Sequence, residues 1–273
     1  MTDTLGDFTR EQFSSGGISH DIYRYGSGPA VIVISEVPGI TPNVVKFARR
    51  VSGRRTTVVL PHLFGTPGRP PTGLYAMETI AKLCVSKEFS GLALGRSAPV
   101  VDWLRALARS EHERCGGPGV GVVGMCYTGG FGLAMAVDSS VLAPVLSQPS
   151  LPFGLDRARR ADLQLSPADW ERVQARARDE DLCVLGLRFT GDMMVPQERF
   201  RTLRDRLGDH FIAVELDSSS GNPYGHPKRA HSVLTEHLQD REGTPTRAAL
   251  DQVLGFLETR LVSHPAGGGT AAG

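Results

Sequence analysis

The chain holds only four cysteines, Cys84, Cys115, Cys126 and Cys183, and no two of them stand at C-x-x-C spacing. That scarcity indicates neither a zinc site nor a dithiol redox motif, and reduced thiols are the expectation. A surplus of either charge is also missing: 30 Lys and Arg stand against 29 Asp and Glu, for a formal net charge of +1. Nothing in that balance would recruit nucleic acid or an anionic membrane surface, so a small-molecule partner is expected. No apolar run approaches the roughly 18 residues that span a bilayer. The opening segment MTDTLGDFTREQF has neither the basic nor the apolar stretch of a signal peptide, and a cytoplasmic protein is expected. Nucleotide signatures are absent too, with no G-x-G-x-x-G after a first strand and no G-x-x-x-x-G-K-S/T. The histidines lack H-E-x-x-H spacing, which leaves no metal site in view.

What the sequence does contain is a repeated alternation. Apolar runs at Ala30–Ser35, Thr56–Leu60, Val120–Val123, Val141–Leu146, Leu182–Phe189 and Phe211–Leu216 suit strands buried on both faces of a parallel sheet. Helical patterns fall at Val44–Val51, Pro99–Ala108, Gly130–Val137, Pro167–Arg178, Glu198–Leu207 and Arg247–Leu261. This order predicts an α/β protein with a doubly wound, mostly parallel sheet and helices on both faces, whose ligands lie at the carboxyl ends of the strands. No repeat or linker interrupts residues 18–262, which read as a single domain. Polar residues 1–17 read as a flexible arm, Ile18 to Tyr25 as a short edge strand, and residues 263–273 as a disordered tail. The connections 65–97 and 147–180 are long enough to cap a pocket.

The stretch GVGVVGMCYTGGFGLAMAV, residues 119–137, reads as buried strand, tight turn and small-residue helix. A nucleophile on such an elbow sits in a strained backbone conformation, and small neighbours such as Gly124 let the turn approach the adjacent strand. Cys126 occupies the turn, where unpaired helix amides favour thiolate over thiol, and it is the candidate nucleophile. Cys84, Cys115 and Cys183 read as buried structural residues.

A thiol nucleophile needs a base and an orienting acid, in this kind of fold in the chain order nucleophile, acid, histidine. Asp192 follows the run CVLGLRF, so it falls at a strand's carboxyl end, on the edge that carries Cys126. Capping the next helix, near Pro196, is its structural alternative, and Asp217 is the fallback acid. His226, His231 and His237 all follow the last strand, and chain order does not choose among them. A solvent-facing place on a helix is the plain reading of His237. The backbone amides of Tyr127 and Val37 are the expected oxyanion hole.

In order and spacing, residues 20–262 resemble the dienelactone hydrolases, α/β-hydrolases whose nucleophile is a cysteine in a G-x-C-x-G-G turn. Gly124, Cys126 and Gly129 match that turn, and Thr128 departs from it. Ser35-Glu36-Val37-Pro38-Gly39-Ile40 looks like the family's E-x-x-G segment. Val59 to Phe64 is similar to its P-D-L-F/Y stretch, with His62 in place of the aspartate. Thr190 to Pro196 resembles the turn that carries the acid, and Ala230-His231-Ser232 the surroundings of the histidine, with His226 in Gly225-His226-Pro227 as the alternative.

The resemblance implies the α/β-hydrolase fold and a triad of Cys126, His231 and Asp192. It also implies that Glu36 touches the resting thiol and helps to generate the thiolate when substrate arrives. A carboxylate there opposes spontaneous ionisation and slows oxidation of the sulfur. The implied reaction is cleavage of an ester or lactone through a thioester, with His231 protonating the leaving alkoxide and no metal or organic cofactor. Members acting on dienelactone use arginines to hold a substrate carboxylate, one of them shortly after the histidine. Ser232 to Thr235 hold none, which leaves Lys82, Lys87 and Arg96 as candidates. Two other classes stay open: a thiol-dependent transferase or redox protein that does not hydrolyse, and a catalytically silent small-molecule-binding scaffold, which would not require Asp192 and His231 together.

Overall fold

The computed structural model describes residues 5–89, 98–150, 160–163 and 165–262; the tail 263–273, Arg96 and the side chains of Cys84 and Lys87 lie outside the described residues. Its strands are β1 (Thr9–Ser15), β2 (Ile18–Gly26), β3 (Ala30–Ile34), β4 (Thr57–Pro61), β5 (Val120–Met125), β6 (Val141–Ser147), β7 (Val184–Phe189) and β8 (Phe211–Leu216). They form one sheet in the order β1-β2-β4-β3-β5-β6-β7-β8. Strands β3 to β8 run parallel, while β2 is antiparallel to both β1 and β4.

The α-helices whose bounds are described are α1 (Pro42–Ser52), α2 (Gly73–Val85), α3 (Pro99–Cys115), α4 (Gly129–Met135), α5 (Pro167–Glu180), α6 (Gln197–Leu207) and α7 (Pro245–Leu261). Proline stands in the first turn of α1, α3, α5 and α7, where its missing N–H would have no partner in any case. Among the described residues, no helix is long and apolar enough to cross a membrane.

The continuous apolar runs are explained by where the strands lie. Every residue of β3 is buried, and alternate side chains serve different cores. Ala30, Ile32 and Ile34 join Trp103, Leu104 and Leu107 of α3, Trp170 of α5 and Phe200 of α6 on one face. Val31 and Val33 join Val44 and Phe47 of α1 and Leu250 and Val253 of α7 on the other. Helices therefore cover both faces, and a strand with no wet side has no polar positions to alternate with.

Two expectations need correction. The arm read over residues 1–17 contains β1, which pairs with β2 from Thr9↔Arg24 to Ser15↔Ile18, so β1 is the edge strand and β2 is internal. Its side chains are mostly exposed, and an edge strand wet on both faces carries no apolar period. The connection over 65–97, whose shape the sequence leaves open, contains α2, with Leu74 and Met77 exposed rather than turned to the core.

The sheet order also positions the site. From β3 the chain goes to β4 on one side and then to β5 on the other, so the connections after β3 and β5 diverge at a topological switch point. Glu36 and Val37 follow one of these strands and Cys126 the other, with Ile34 paired to Gly124 just below them.

Candidate active site

The elbow is built from close approaches. Cys126 directly follows β5 and has φ +56°, a conformation that costs a side-chain-bearing residue energy. A Cβ on Gly124 would lie 2.2 Å from the Thr128 carbonyl oxygen, and one on Gly129 2.5 Å from the Pro149 Cα, so both positions need glycine's lack of bulk. Thr128, where the resemblance has glycine, is accommodated by its hydroxyl. That group donates among the Met125 carbonyl (2.8 Å), the Ile34 carbonyl (3.0 Å) and the Ser35 carbonyl (3.3 Å) and accepts from the Met125 amide (3.0 Å). It ties the turn to the end of β3.

Asp192 and His231 meet at the same edge. Asp192 is buried, and its Oδ2 lies 2.6 Å from His231 Nδ1; the carboxylate can only accept, so Nδ1 carries the proton. Its other oxygen accepts from the Met194 amide at 2.9 Å and shapes the turn, while Pro196, not Asp192, stands at the cap of α6. Arg188 Nη1 donates to the Val195 carbonyl at 2.6 Å and holds this turn from below.

His231 Nε2 is buried without a hydrogen-bond partner of normal geometry, yet Cys126 is near enough to act on the ring. Burial opposes the imidazolium, but the neighbouring Cys126 and the Asp192 carboxylate outweigh it and push the pKa of His231 well above the ordinary histidine value. His226, the alternative, packs its ring 5.1 Å from that of Phe189, and burial lowers its pKa. Asp217, the fallback acid, is exposed and accepts from the Ser219 amide at 2.8 Å.

Glu36 differs from expectation. Its buried carboxylate does not go to the thiol: it accepts from Ser232 Oγ (2.6 Å), Gln148 Nε2 (3.1 Å) and Thr235 Oγ1. The physical reason is the return of the histidine loop over the end of β3, which presents two hydroxyls to the carboxylate. Burial raises the pKa of Glu36, and the Ser232 and Thr235 hydroxyls partly offset this. The group at hydrogen-bond distance from Cys126 Sγ is Ser150 Oγ, at 3.1 Å.

Three residues of the site carry no sequence signal. Ser150 and Gln148 lie in the connection after β6, and Gln148 also accepts from the Val233 amide at 3.3 Å, so it joins Glu36 to the histidine loop. Arg199, from α6, donates to the Pro149 carbonyl (2.6 Å) and the Met194 carbonyl (3.1 Å), bracing the Ser150 and Asp192 loops together. Burial lowers its pKa to about 10. His237 is a correction: it lies in a turn, not on a helix, and its Nδ1 accepts from the amides of Ser232 (3.2 Å) and His231 (3.4 Å). Burial, then His231, lowers its pKa, in keeping with an unprotonated acceptor nitrogen.

Val37 lies in the connection after β3, and Tyr127 directly follows Cys126. Beyond Tyr127 a run of rings leads away, with Phe89 6.3 Å and Phe131 5.6 Å from it. Phe89 also lines a cavity of about 270 Å3 together with Phe64, Arg69, Tyr75 and Lys82; Cys126 and His231 do not line it. Lys82 pairs with Glu78 at 2.7 Å on the surface. Asp181, Cys183 and His210 form one potential metal-ligand group, but they flank the opposite ends of β7 and β8, and the Arg260 guanidinium donates to Asp181 there.

No family model matches the sequence, and no curated protein matches it. Solved structures do. A dienelactone hydrolase from Anabaena variabilis is 14% identical, with a TM-score of 0.59 over 93% of this chain and 99% of its own. A cold-adapted esterase from an Arctic intertidal metagenomic library is 14% identical, with a TM-score of 0.57 over 92% of each chain. A dienelactone hydrolase-like promiscuous phosphotriesterase from metagenomic libraries is 16% identical, with a TM-score of 0.56 over 94% of this chain and all of its own, 100%. At such identities the likeness establishes the fold, which is that of the α/β-hydrolases.

Proposed function

We propose that the protein is a cysteine hydrolase of carboxylic esters or lactones, of the dienelactone hydrolase type, with Cys126 as nucleophile, His231 as base and then acid, and Asp192 as the orienting carboxylate. One observation carries the reading: a half-buried histidine holds a carboxylate on one ring nitrogen and has the other nitrogen buried next to a cysteine on a strained elbow. The names of the structural neighbours, two dienelactone hydrolase types and an esterase, agree with it.

The chemistry follows from these groups. The Cys126 thiol proton passes to His231 Nε2, and the sulfur attacks the carbonyl carbon. The tetrahedral oxyanion accepts hydrogen bonds from the amides of Tyr127 and Val37, each typically worth ~3 kcal/mol of barrier. Collapse breaks the carbon–oxygen bond, the alkoxide takes the proton from Nε2, and a thioester remains. Water then gives a proton to Nε2, its oxygen attacks the thioester, and the thiolate leaves.

A reducing compartment such as the cytoplasm is part of this reading, on the scarcity and spacing of the cysteines in the sequence. The test is turnover of aryl esters and enol lactones by Cys126→Ala. The reading expects activity to vanish while the fold is kept; unchanged turnover removes Cys126 as nucleophile. A silent scaffold or a non-hydrolytic transferase would leave these substrates intact even in the unaltered protein.

A further inference from the structure

We infer that Ser150 is a positioning residue for the nucleophile, its hydroxyl donating to the Cys126 sulfur once the thiol has lost its proton. The inference rests on Cys126 as nucleophile and adds a residue that the resemblance does not contain. Four observations carry it. Ser150 Oγ lies 3.1 Å from Cys126 Sγ and the residue is buried. The Ser150 amide donates to the Cys126 carbonyl at 2.9 Å, so the two residues are clamped through backbone as well as side chain. The loop cannot drift from the elbow, because Gly129 packs directly on Pro149 and Arg199 Nη1 holds the Pro149 carbonyl at 2.6 Å. The carboxylate expected at the sulfur, Glu36, is taken by Ser232, Thr235 and Gln148.

The exchange of a carboxylate for a hydroxyl reverses the local electrostatics. A carboxylate beside sulfur repels the thiolate, whereas a hydroxyl rotates to suit either state. In the thiol state S–H donates to Ser150 Oγ. When the proton moves to His231 Nε2, the Ser150 O–H turns and donates to the sulfur, a hydrogen bond to a charged acceptor in a buried site. The titratable groups gathered round the sulfur are His231 and, beyond it, Asp192, Glu36 and His237. Ser150 is the uncharged donor among them, so its effect on the sulfur does not depend on a second titration.

The experiment is the pH profile of iodoacetamide labelling at Cys126, read by peptide mass mapping in the full chain, together with kcat/KM on an aryl ester. Ser150→Ala is expected to raise the labelling midpoint by about one pH unit and to lower kcat/KM roughly 10- to 100-fold, with an unchanged far-ultraviolet circular dichroism spectrum. Ser150→Thr, which keeps the hydroxyl, is expected to restore the midpoint. An unmoved midpoint in Ser150→Ala, or an equal shift in Ser150→Thr, overturns the inference. The labelling readout needs no turnover, so it reports on Ser150 even if Cys126→Ala were to show that hydrolysis proceeds by another route.

Discussion

The elbow around Cys126 and the loop that carries His231 meet at one edge of the sheet but are held in place in opposite ways. The elbow is local. Its strain at Cys126 is contained by Gly124, Thr128 and Gly129, all within three residues of it, and by the strand before and the helix after. The histidine loop, between Leu216 and Pro245, contains neither strand nor helix. It is pinned from a distance, by Glu36 on Ser232 and Thr235, by Gln148 on Val233 and by Asp192 on the imidazole. A nucleophile must be strained and rigid, which sequence neighbours can arrange; a base must be aimed, which in this protein takes groups from three other connections.

Four substitutions sharpen that contrast. His231→Ala should cost most, about 10²- to 10⁴-fold in kcat/KM on an aryl ester, while His226→Ala should lose less than about tenfold; a reversed ranking would exchange the two histidines. Gly124→Val should break the elbow itself. Its side chain would strike the Thr128 carbonyl, and denaturant unfolding should show a loss of about 3 kcal/mol or more. Glu36→Gln disturbs only the aim of the loop. It should lower kcat about tenfold and leave the pH profile of Cys126 labelling unmoved, since the carboxylate acts on Ser232 and Thr235; a moved profile would place Glu36 at the sulfur after all.

The smallest effect concerns pH and stability. Burial lowers the pKa of His226 in the folded protein below its unfolded value near 6.5, so the unfolded chain binds more protons in that window. Stability from this group is present above about pH 6.5 and is lost as pH falls toward the folded value. His226→Leu should therefore reduce the fall in Tm between about pH 7 and pH 5. His237, also lowered, keeps part of that slope, and a steeper slope in the variant would contradict the assignment.

The same contrast decides what could be read from sequence. Strands β3 to β7 were legible because burial on both faces writes itself as unbroken apolar runs, the half-buried edge strand β8 because its run FIAVEL is still mostly apolar, and Cys126 because an elbow must be encoded next to the residue it strains. Asp192 was legible as a strand-end residue. Edge strand β1 was not, since its polar side chains stay wet, nor was α2, whose exposed Leu74 and Met77 blur its apolar stripe. Ser150, Gln148 and His237 were not legible either. Their roles depend on hydrogen bonds across 24, 112 and 5 residues in ordinary loop sequence, with no spacing to mark them. The engagement of Glu36 away from the sulfur belongs to the same class, because it is fixed by where the histidine loop lands.

The most direct measurement of the central claim is acyl mapping. The protein, and its His231→Ala variant in which deacylation should stall, are quenched with an aryl ester and digested, and the modified peptide is identified by mass spectrometry. The account predicts an acyl group on Cys126, accumulating in the variant. An acyl group on Ser150, or steady turnover with no acyl group on Cys126 at any time, would contradict it.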